Sequence, residues 1–442
     1  MTQRSRPRSS LFRRILSTGL AACFAASGGC HRSSGQDEAD GGVDAGRTDG
    51  AVPLDARVRD TAVEDTATFD GGFDSGFDAG FDAPAPCPEP SLVESFHPEA
   101  DETNYGRALA LSADGSTLAV SSHDSLSIYD RNEDGWMRVY RRTVIVSEMV
   151  LYVPGAVDID NSGDTVIWGS AISTESSPNY SAALVFERQA RGEWRETTIE
   201  RTPDTFVTNT GVSISGDGST LAVRDDGGGG GVYLRIFERS EAGEWPQSHV
   251  IELEVGTSRG TTVVELSEAG DRVLWLTTVY SSFAIHRKEA SGEWVLEHEI
   301  SGLGAVSPVL DAAGERFVVR DPAGTIFVYD RSGTTWAESS RFPLPSIEGR
   351  VARPIAIAPS GEEIYVGAST ECGVAVLSWS QRGSDWVEST TQQTGAMLGV
   401  DHRLLLSLSA AGNGTVALAV PDDIITTEER TPPEVVGVYL VR

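Results

Sequence analysis

One unit of about 50 residues recurs along most of the chain, and this period limits the fold more than any other feature. A glycine in a tight turn marks each copy, at Gly115, Gly163, Gly218, Gly270, Gly314, Gly361 and Gly412. Spacing in this range is typical of the four-stranded blades of a β-propeller, which stack around a central axis. The seven turns therefore predict an all-β fold, a seven-bladed β-propeller with four-stranded antiparallel blades.

Each unit contains four short candidate strands. The first two flank the glycine turn, and the segments 108–120 and 212–223 are nearly the same sequence. Apolar and polar residues alternate in these strands, as expected for antiparallel hairpins. A tryptophan opens the fourth strand of six units, at Trp136, Trp194, Trp245, Trp294, Trp336 and Trp386. Because the tryptophans recur at one place in the unit, we expect them to pack between blades rather than to bind a ligand.

The two ends of the repeat region complement each other. The last unit stops after a third strand at 438–441, whereas 91–96 precedes the first unit with the pattern of an unused fourth strand. Pairing these two segments would complete blade seven and remove an open sheet edge. A blade cannot cover both of its faces alone, so closure into a ring also stabilises every unit. We predict that the propeller spans residues 88–442.

The repeat resembles the FG-GAP repeat of integrin α-subunit propellers and of many bacterial secreted proteins. The resemblance rests on Tyr105-Gly106, on the Ser-x-Asp-Gly-Ser-Thr-Leu-Ala-Val core of 112–120 and 215–223, and on Val366-Gly367-Ala368 at the end of a second strand. It implies a propeller again, but it implies no particular activity, because propellers host unrelated functions.

Blades of this family often hold calcium in a loop of the form Asp-x-Asp-x-Asp-Gly. The nearest match here is Asp158, Asp160 and Ser162, and it departs from the family because Val166 stands where a closing acid belongs. In other units a single turn acid remains, such as Asp114 or Asp217, and we expect it to bond to the backbone of its own turn. Calcium in the second unit is therefore the one candidate cofactor that the resemblance implies.

Residues 1–30 have the pattern of an export signal, with a basic start and an apolar stretch too short to span a bilayer permanently. Cys23 follows Leu-Ala-Ala and Cys30 follows Ser-Gly-Gly, and both settings resemble the lipobox of bacterial lipoproteins. The pattern does not choose between the two cysteines. We expect an exported protein that a lipid anchors to a membrane of the cell envelope, at the outer membrane or the cell surface.

Residues 31–87 are dominated by Asp, Gly, Ala and Thr, with Phe-Asp pairs repeated every four residues from 69 to 82. Such a segment buries too little apolar surface to offset the cost of ordering its backbone. We therefore predict a disordered linker between the signal and the propeller. The formal net charge of −30 argues against a nucleic-acid partner, because binding phosphates requires a basic surface.

Cys87 and Cys372 lie outside the signal, and an oxidising exterior permits a disulfide between them. Strand topology places them on opposite faces of the propeller, roughly 15 Å apart. The Pro-rich segment after Cys87 has enough freedom to bend back, so the pairing stays open.

No catalytic set emerges, because the seven histidines are scattered without a partner at metal-ligand spacing. We expect a non-enzymatic, monomeric propeller that recognises or scaffolds a protein or glycan ligand. The loops at 172–181, 225–231 and 421–434 are the candidate contact surface. The alternative is an enzyme that acts on polysaccharides, a lyase or a hydrolase, with acids and arginines gathered at the central channel.

Overall fold

The structure is a computed structural model, and it describes sixteen stretches of the chain between Leu92 and Arg442. These are residues 92–99, 102, 105–122, 124–144, 156–171, 181–199, 211–226, 232–253, 263–276, 282–303, 306–321, 323–344, 354–370, 373–394, 407–420 and 437–442. The predicted signal, the predicted linker and all four cysteines lie outside the described residues. The lipid anchor and the Cys87–Cys372 pairing therefore stay predictions.

Seven antiparallel sheets of four strands contain every strand of the described residues. Blade one has β2 (Ala108–Leu111), β3 (Thr117–Ser121), β4 (Ser125–Asn132) and β5 (Gly135–Thr143). Blade two has β6 (Val157–Ile159), β7 (Thr165–Ala171), β8 (Ser181–Arg188) and β9 (Trp194–Ile199). Blade three has β10 (Gly211–Ile214), β11 (Thr220–Asp226), β12 (Val232–Glu238) and β13 (Gln247–Leu253). Blade four has β14 (Val264–Leu266), β15 (Arg272–Leu276), β16 (Ser282–Lys288) and β17 (Trp294–Ser301).

The remaining blades repeat this order. Blade five has β18 (Val306–Leu310), β19 (Arg316–Arg320), β20 (Thr325–Ser332) and β21 (Thr335–Pro343). Blade six has β22 (Ile355–Ile357), β23 (Glu363–Thr370), β24 (Gly373–Arg382) and β25 (Asp385–Gln393). Blade seven has β26 (Ser407–Ala410), β27 (Val416–Val420), β28 (Gly437–Val441) and β1 (Leu92–Phe96). The all-β, seven-bladed prediction is confirmed, and no described segment forms a helix that is long and apolar enough to cross a membrane.

Blade seven is assembled from both ends of the ring. β1 pairs antiparallel with β28, so that Ser95 lies opposite Tyr439 and Phe96 lies opposite Val438. The resulting sheet order, β1-β28-β27-β26, confirms the predicted closure. The innermost strands contact their neighbours around the whole circle, including β26 with β2, so the ring is continuous.

Buried apolar side chains fill the seven seams between neighbouring blades. In six seams a tryptophan at or near the start of a fourth strand packs against the preceding blade, which confirms the packing role predicted for these residues. Trp245 does not open its strand as predicted, because β13 begins two residues later, at Gln247. Trp336, for example, packs with Leu274 and Phe283 of blade four, and its ring centre lies 5.2 Å from that of Phe317. Neighbouring blades are thus held together mainly by apolar surface that neither could bury alone.

The two faces of the ring differ in their connections. On one side, here called the turn face, the first and second strands are joined by turns of five residues in all seven blades. On the opposite side, here called the loop face, the connections from second to third strands range from two residues, at 371–372, to sixteen, at 421–436. Because neighbouring strands run antiparallel, every second-to-third connection leaves from this same face.

Close packing between the turns explains their glycines. Gly163 has a φ of +74°, and a Cβ at this position would lie 2.5 Å from Thr117 Oγ1 of blade one. Gly270 repeats this approach against Thr220 of blade three. One predicted marker is wrong, because the glycine with positive φ in blade seven is Gly414, not Gly412. That turn begins at residue 411, whose carbonyl accepts from the N–H of Gly414, so the fourth turn residue falls two positions later than predicted.

The turn acids bond within their own turns, as predicted. Asp114 accepts a hydrogen bond from the backbone N–H of Ser116, and Asp217 accepts one from that of Ser219, both at 2.9 Å. Burial alone would raise the pKa of the Asp114 carboxyl, but hydrogen bonds from Ser116 and Ser112 outweigh it and lower that pKa. These carboxylates therefore stabilise turns.

Ion pairs join the outer parts of successive blades. Arg188 of blade two donates to both carboxylate oxygens of Asp130 of blade one, at 2.5 and 2.7 Å. Arg239 of blade three likewise pairs with Glu187 of blade two. The Arg188 guanidinium also lies 4.7 Å from the centre of the Trp194 ring. The acid-Arg dipeptides are visible in the sequence, but their partners on neighbouring blades become apparent only in the structure.

Candidate functional site

One position on the innermost strands changes its chemistry from blade to blade. In each first strand, this position is two residues before the first residue of the five-residue turn. It is occupied by Ala110, Asp158, Ser213, Glu265, Val309, Ala356 and Ser409. The first strands surround the axis of the ring, so this position lies on the innermost strand of each blade. Asp158, Ser213 and Glu265 come from the consecutive blades two, three and four, and we call them the axial cluster.

Asp158 links blade two to blade three. Its Oδ2 accepts hydrogen bonds from Ser213 Oγ at 2.7 Å and from the Ile214 N–H at 2.9 Å, and its Oδ1 accepts from the Ile159 N–H at 2.8 Å. Burial raises the pKa of Asp158 to about 6, because the three hydrogen bonds only partly offset the loss of hydration, and the charge of Asp160 raises it further. Asp158 is therefore charged at neutral pH and takes up a proton in mild acid.

Ser213 extends the network to blade four, where its Oγ accepts a hydrogen bond from the Leu266 N–H at 3.0 Å. Burial raises the pKa of the adjacent Glu265 well above its ordinary value, and the charge of Asp158 adds to the shift. Within the part of the chain that the structure describes, the Glu265 carboxyl makes no hydrogen bond. Glu265 is thus biased toward the neutral acid, first by its burial and then by the negative charge of Asp158.

Asp158 and Glu265 are partly buried as whole residues, and their carboxyl groups are buried enough to raise both pKa values. Two nearby acids that resist being ionised together can hold a shared proton, transfer a proton, or accept a cationic group. The remaining blades place aliphatic residues or Ser409 at this position, so the charge is confined to one side of the axis.

The candidate calcium residues have other partners. Asp160 accepts hydrogen bonds from the N–H groups of Asp164, at 2.9 Å, and Thr165, at 3.1 Å, and from Ser162 Oγ at 3.0 Å. Asp158 bonds to blade three instead. No group of three or more His, Cys, Asp or Glu side chains among the described residues is arranged to hold a metal ion. Because these oxygens already accept hydrogen bonds from the protein, the set does not fit a calcium ion, and we derive no step through one.

The three predicted contact loops all leave from the loop face. Their bases are the strand ends Ala171 and Ser181 of blade two, Asp226 and Val232 of blade three, and Val420 and Gly437 of blade seven. The residues between these bases lie outside the described part of the chain. The shared face is therefore a property of the fold, whereas the contact role of the loops stays a prediction.

The axial cluster is only partly visible in the sequence. The sequence pattern makes Asp158 a candidate calcium ligand and assigns no role to Ser213 or Glu265. The available signal is the aligned repeat, because this inner position is acidic in blades two and four and aliphatic in blades one, five and six. The contact between neighbouring blades cannot be read from it, since the three residues are about 50 positions apart in the chain.

Comparisons with known proteins leave the family open. No family model matches the chain, and no curated protein matches it. Solved structures that match include a Lactobacillus plantarum protein, 16% identical with a TM-score of 0.48, over 65% of this chain and 85% of that one. A functionally unknown protein from Desulfotomaculum acetoxidans is 13% identical with a TM-score of 0.48, over 68% and 94%.

A third match is a Bacteroides fragilis protein provisionally named a 6-phosphogluconolactonase, 11% identical with a TM-score of 0.47, over 73% of this chain and 89% of that one. The class of protein, a seven-bladed β-propeller, follows from the seven sheets themselves.

Proposed function

We propose that this chain is a non-enzymatic recognition protein that presents the loop face of its propeller to a protein or glycan ligand in the cell envelope. The observation that carries the proposal is the contrast between the two faces. On the turn face the seven first-to-second turns all have five residues and the third-to-fourth connections have two to eight, whereas the second-to-third connections of the loop face have two to sixteen. Variation concentrated on one face of a repeated frame is typical of binding surfaces.

The recurring side chains support this proposal because they serve the frame. Tryptophans fill the seams, acid–Arg pairs such as Asp130–Arg188 join blades, and turn acids such as Asp217 hold the turns. A frame held in this way can present loops of different lengths without rearranging. Binding of a ligand across several loops then requires little reorganisation of the ring.

The test compares loop-shortened variants of the full chain. In one variant 172–180, and in another 421–436, is replaced by a Gly-Ser dipeptide, the length of the natural connection at 371–372. A control carries substitutions of the exposed Glu133 and Asp134 on the turn face. We expect ligands identified from envelope extracts and glycan panels to bind the control and to lose affinity for at least one loop variant. Binding that survives both deletions would exclude the loop face.

We further propose that lipidation at Cys23 or Cys30 anchors the protein, with residues 31–87 as the linker. The lipobox-like settings of these cysteines support this part of the proposal. Metabolic labelling with a fatty acid, in Cys23→Ser and Cys30→Ser variants, tests it directly. We expect one substitution to abolish both the label and membrane association, and the other to leave them intact. An unlabelled parent chain would contradict the anchor.

The second candidate function is an enzyme acting on polysaccharides, and the axial cluster is the observation that favours it. Burial raises the pKa values of the Asp158 and Glu265 carboxyl groups, a shift that suits proton transfer to and from a substrate. Product release from a polysaccharide panel, abolished in both Asp158→Asn and Glu265→Gln variants that remain folded, would favour this candidate. Stable binding without turnover would favour recognition.

A further inference from the structure

The outermost strand of blade seven is held differently from the other six outermost strands. β1 has five residues, whereas the others have six to nine. Like most of its counterparts, it pairs with a register shift, between Leu92 and Glu94, and it exposes apolar side chains, with Leu92 and Val93 40% and 41% exposed. It contains no tryptophan, whereas five of the other six outermost strands contain one, and its partner β28, like the third strands of blades four and six, lacks the acid-Arg dipeptide. β1 is thus the shortest of the outermost strands, and it is the one that does not directly follow its sheet partner along the chain.

The strand that β1 covers is fully buried. Val438, Leu440 and Val441 of β28 have no exposed surface, and Tyr439 is 4% exposed. If β1 left its place, β28 would become an edge with unpaired N–H and carbonyl groups and a row of apolar side chains. Such an edge pairs readily with another strand. The site therefore accepts an extended strand, and apolar side chains on that strand fit it best.

The end of β1 and the segment after it supply further contacts that belong to the same site. The Phe96 ring centre lies 4.7 Å from that of Tyr129 and 6.0 Å from that of Trp136, both in blade one. Glu99, which is 46% exposed, pairs with Arg138 and with Arg141 of the same blade. Among the described residues, these contacts of 92–99 are with blades seven and one, and these two blades present the same surface in every copy of the chain.

We propose that β28 and the adjoining surface of blade one form a strand-acceptor site that takes β1 of a second copy of this chain. β1 leaves its own ring, and the β1 of the partner copy makes the identical pairing, so that two rings exchange their closing strands. Each interaction that breaks within one chain forms again between the two chains, so the exchange depends on chain concentration rather than on new complementarity. Crowding of anchored copies on a membrane would favour it.

The test uses cysteine pairs divided between two chains. The full-length background has its four native cysteines replaced by serine, and Leu92→Cys is placed on one chain and Val441→Cys on the other, since these residues are register partners. The matched control divides Val328→Cys and Ser340→Cys, which are register partners of β20 and β21 in blade five. Val328 and Val441 are both fully buried, so the two designs disturb third strands equally.

Each mixture is incubated at increasing total concentration under oxidising exchange, and cross-linked dimer is measured by non-reducing electrophoresis. A single chain carrying both Leu92→Cys and Val441→Cys is oxidised in parallel, and its intrachain disulfide shows that the substituted strands still fold and pair. We expect dimer from the 92/441 mixture, with a yield that rises with concentration and exceeds the control several-fold. Absence of this dimer would overturn the proposal, and so would equal yields in both mixtures, because equal yields indicate opening of the whole ring.

Discussion

Replacing Gly163 with alanine separates two demands that the ring places on its turns. The residue has a φ of +74°, and its added Cβ would lie 2.5 Å from Thr117 Oγ1 and 2.7 Å from Thr117 Cβ. Gly192, also in blade two, has a φ of +79° and no atom within 4 Å of its added Cβ. Gly192→Ala therefore measures the backbone strain alone, whereas Gly163→Ala measures strain and the collision with blade one together.

The expected magnitudes follow from these distances. Positive φ costs an alanine about 1 to 2 kcal/mol in either position. Contacts below 3 Å force a shift at the seam, and overpacking of this kind adds about 1 to 3 kcal/mol. Thr117 is 4% exposed and its hydroxyl donates to Asp130, so it has little freedom to move away. We expect Gly163→Ala to lose roughly twice the stability that Gly192→Ala loses.

The assay is urea unfolding of the full chain, followed by tryptophan fluorescence and circular dichroism. Differences in midpoint, multiplied by a common m-value, give the change in unfolding free energy for each variant. Equal losses in the two variants would refute the packing argument. Such a result would mean that successive blades are far enough apart for a Cβ, so that glycine is required in each turn only for its positive φ.

Three further outcomes test other parts of the structure. Because burial raises the folded pKa of Asp158 to about 6 from 3.8, this group should withdraw up to about 3 kcal/mol of stability as pH rises from 4 to 7, and Asp158→Asn should lack that slope in parallel urea titrations. Glu187→Gln should cost about 2 kcal/mol of stability, largely independent of salt, because the Glu187 side chain is only 2% exposed between Arg195 and Arg239. A variant as stable as the wild type at every salt concentration would contradict this. Trp336→Ala should cost about 3 to 5 kcal/mol in thermal or urea unfolding and Trp336→Phe clearly less, whereas equal losses would indicate that seam volume is unimportant.

The features that the sequence predicts correctly all follow from its period. Recurrence of the turn glycine indicates the blade count, and the surplus strand at 91–96 indicates the closure with β28. The tryptophans are placed correctly because a residue repeated in six units must serve what the units share. These inferences need only the order of strands along the chain, which local patterns determine.

The features that the sequence does not predict depend on which residues meet across a seam. The Asp-x-Asp pattern predicts that Asp158 acts together with Asp160 in one loop. In the structure its carboxylate instead accepts hydrogen bonds from Ser213 and Ile214 of the next blade. Gly412 has the spacing of a turn marker, whereas hydrogen bonding from Gly414 to the residue at 411 sets the turn. In both cases an interaction between backbone or side-chain groups decides the outcome, and a single sequence carries no record of it.

The pairing of β1 with β28 means that the ring cannot close until the last strand has been synthesised. β1 leaves the ribosome before the other strands of the ring, yet its partner is about 340 residues further along, which at typical synthesis rates means a wait on the order of tens of seconds. Six blades are complete in sequence before Gly437 has been made, while the seventh exists only as scattered pieces. If translation stops before this point, the chain forms an open arc of blades whose two ends are not joined. A closed ring therefore indicates that translation reached the final strand.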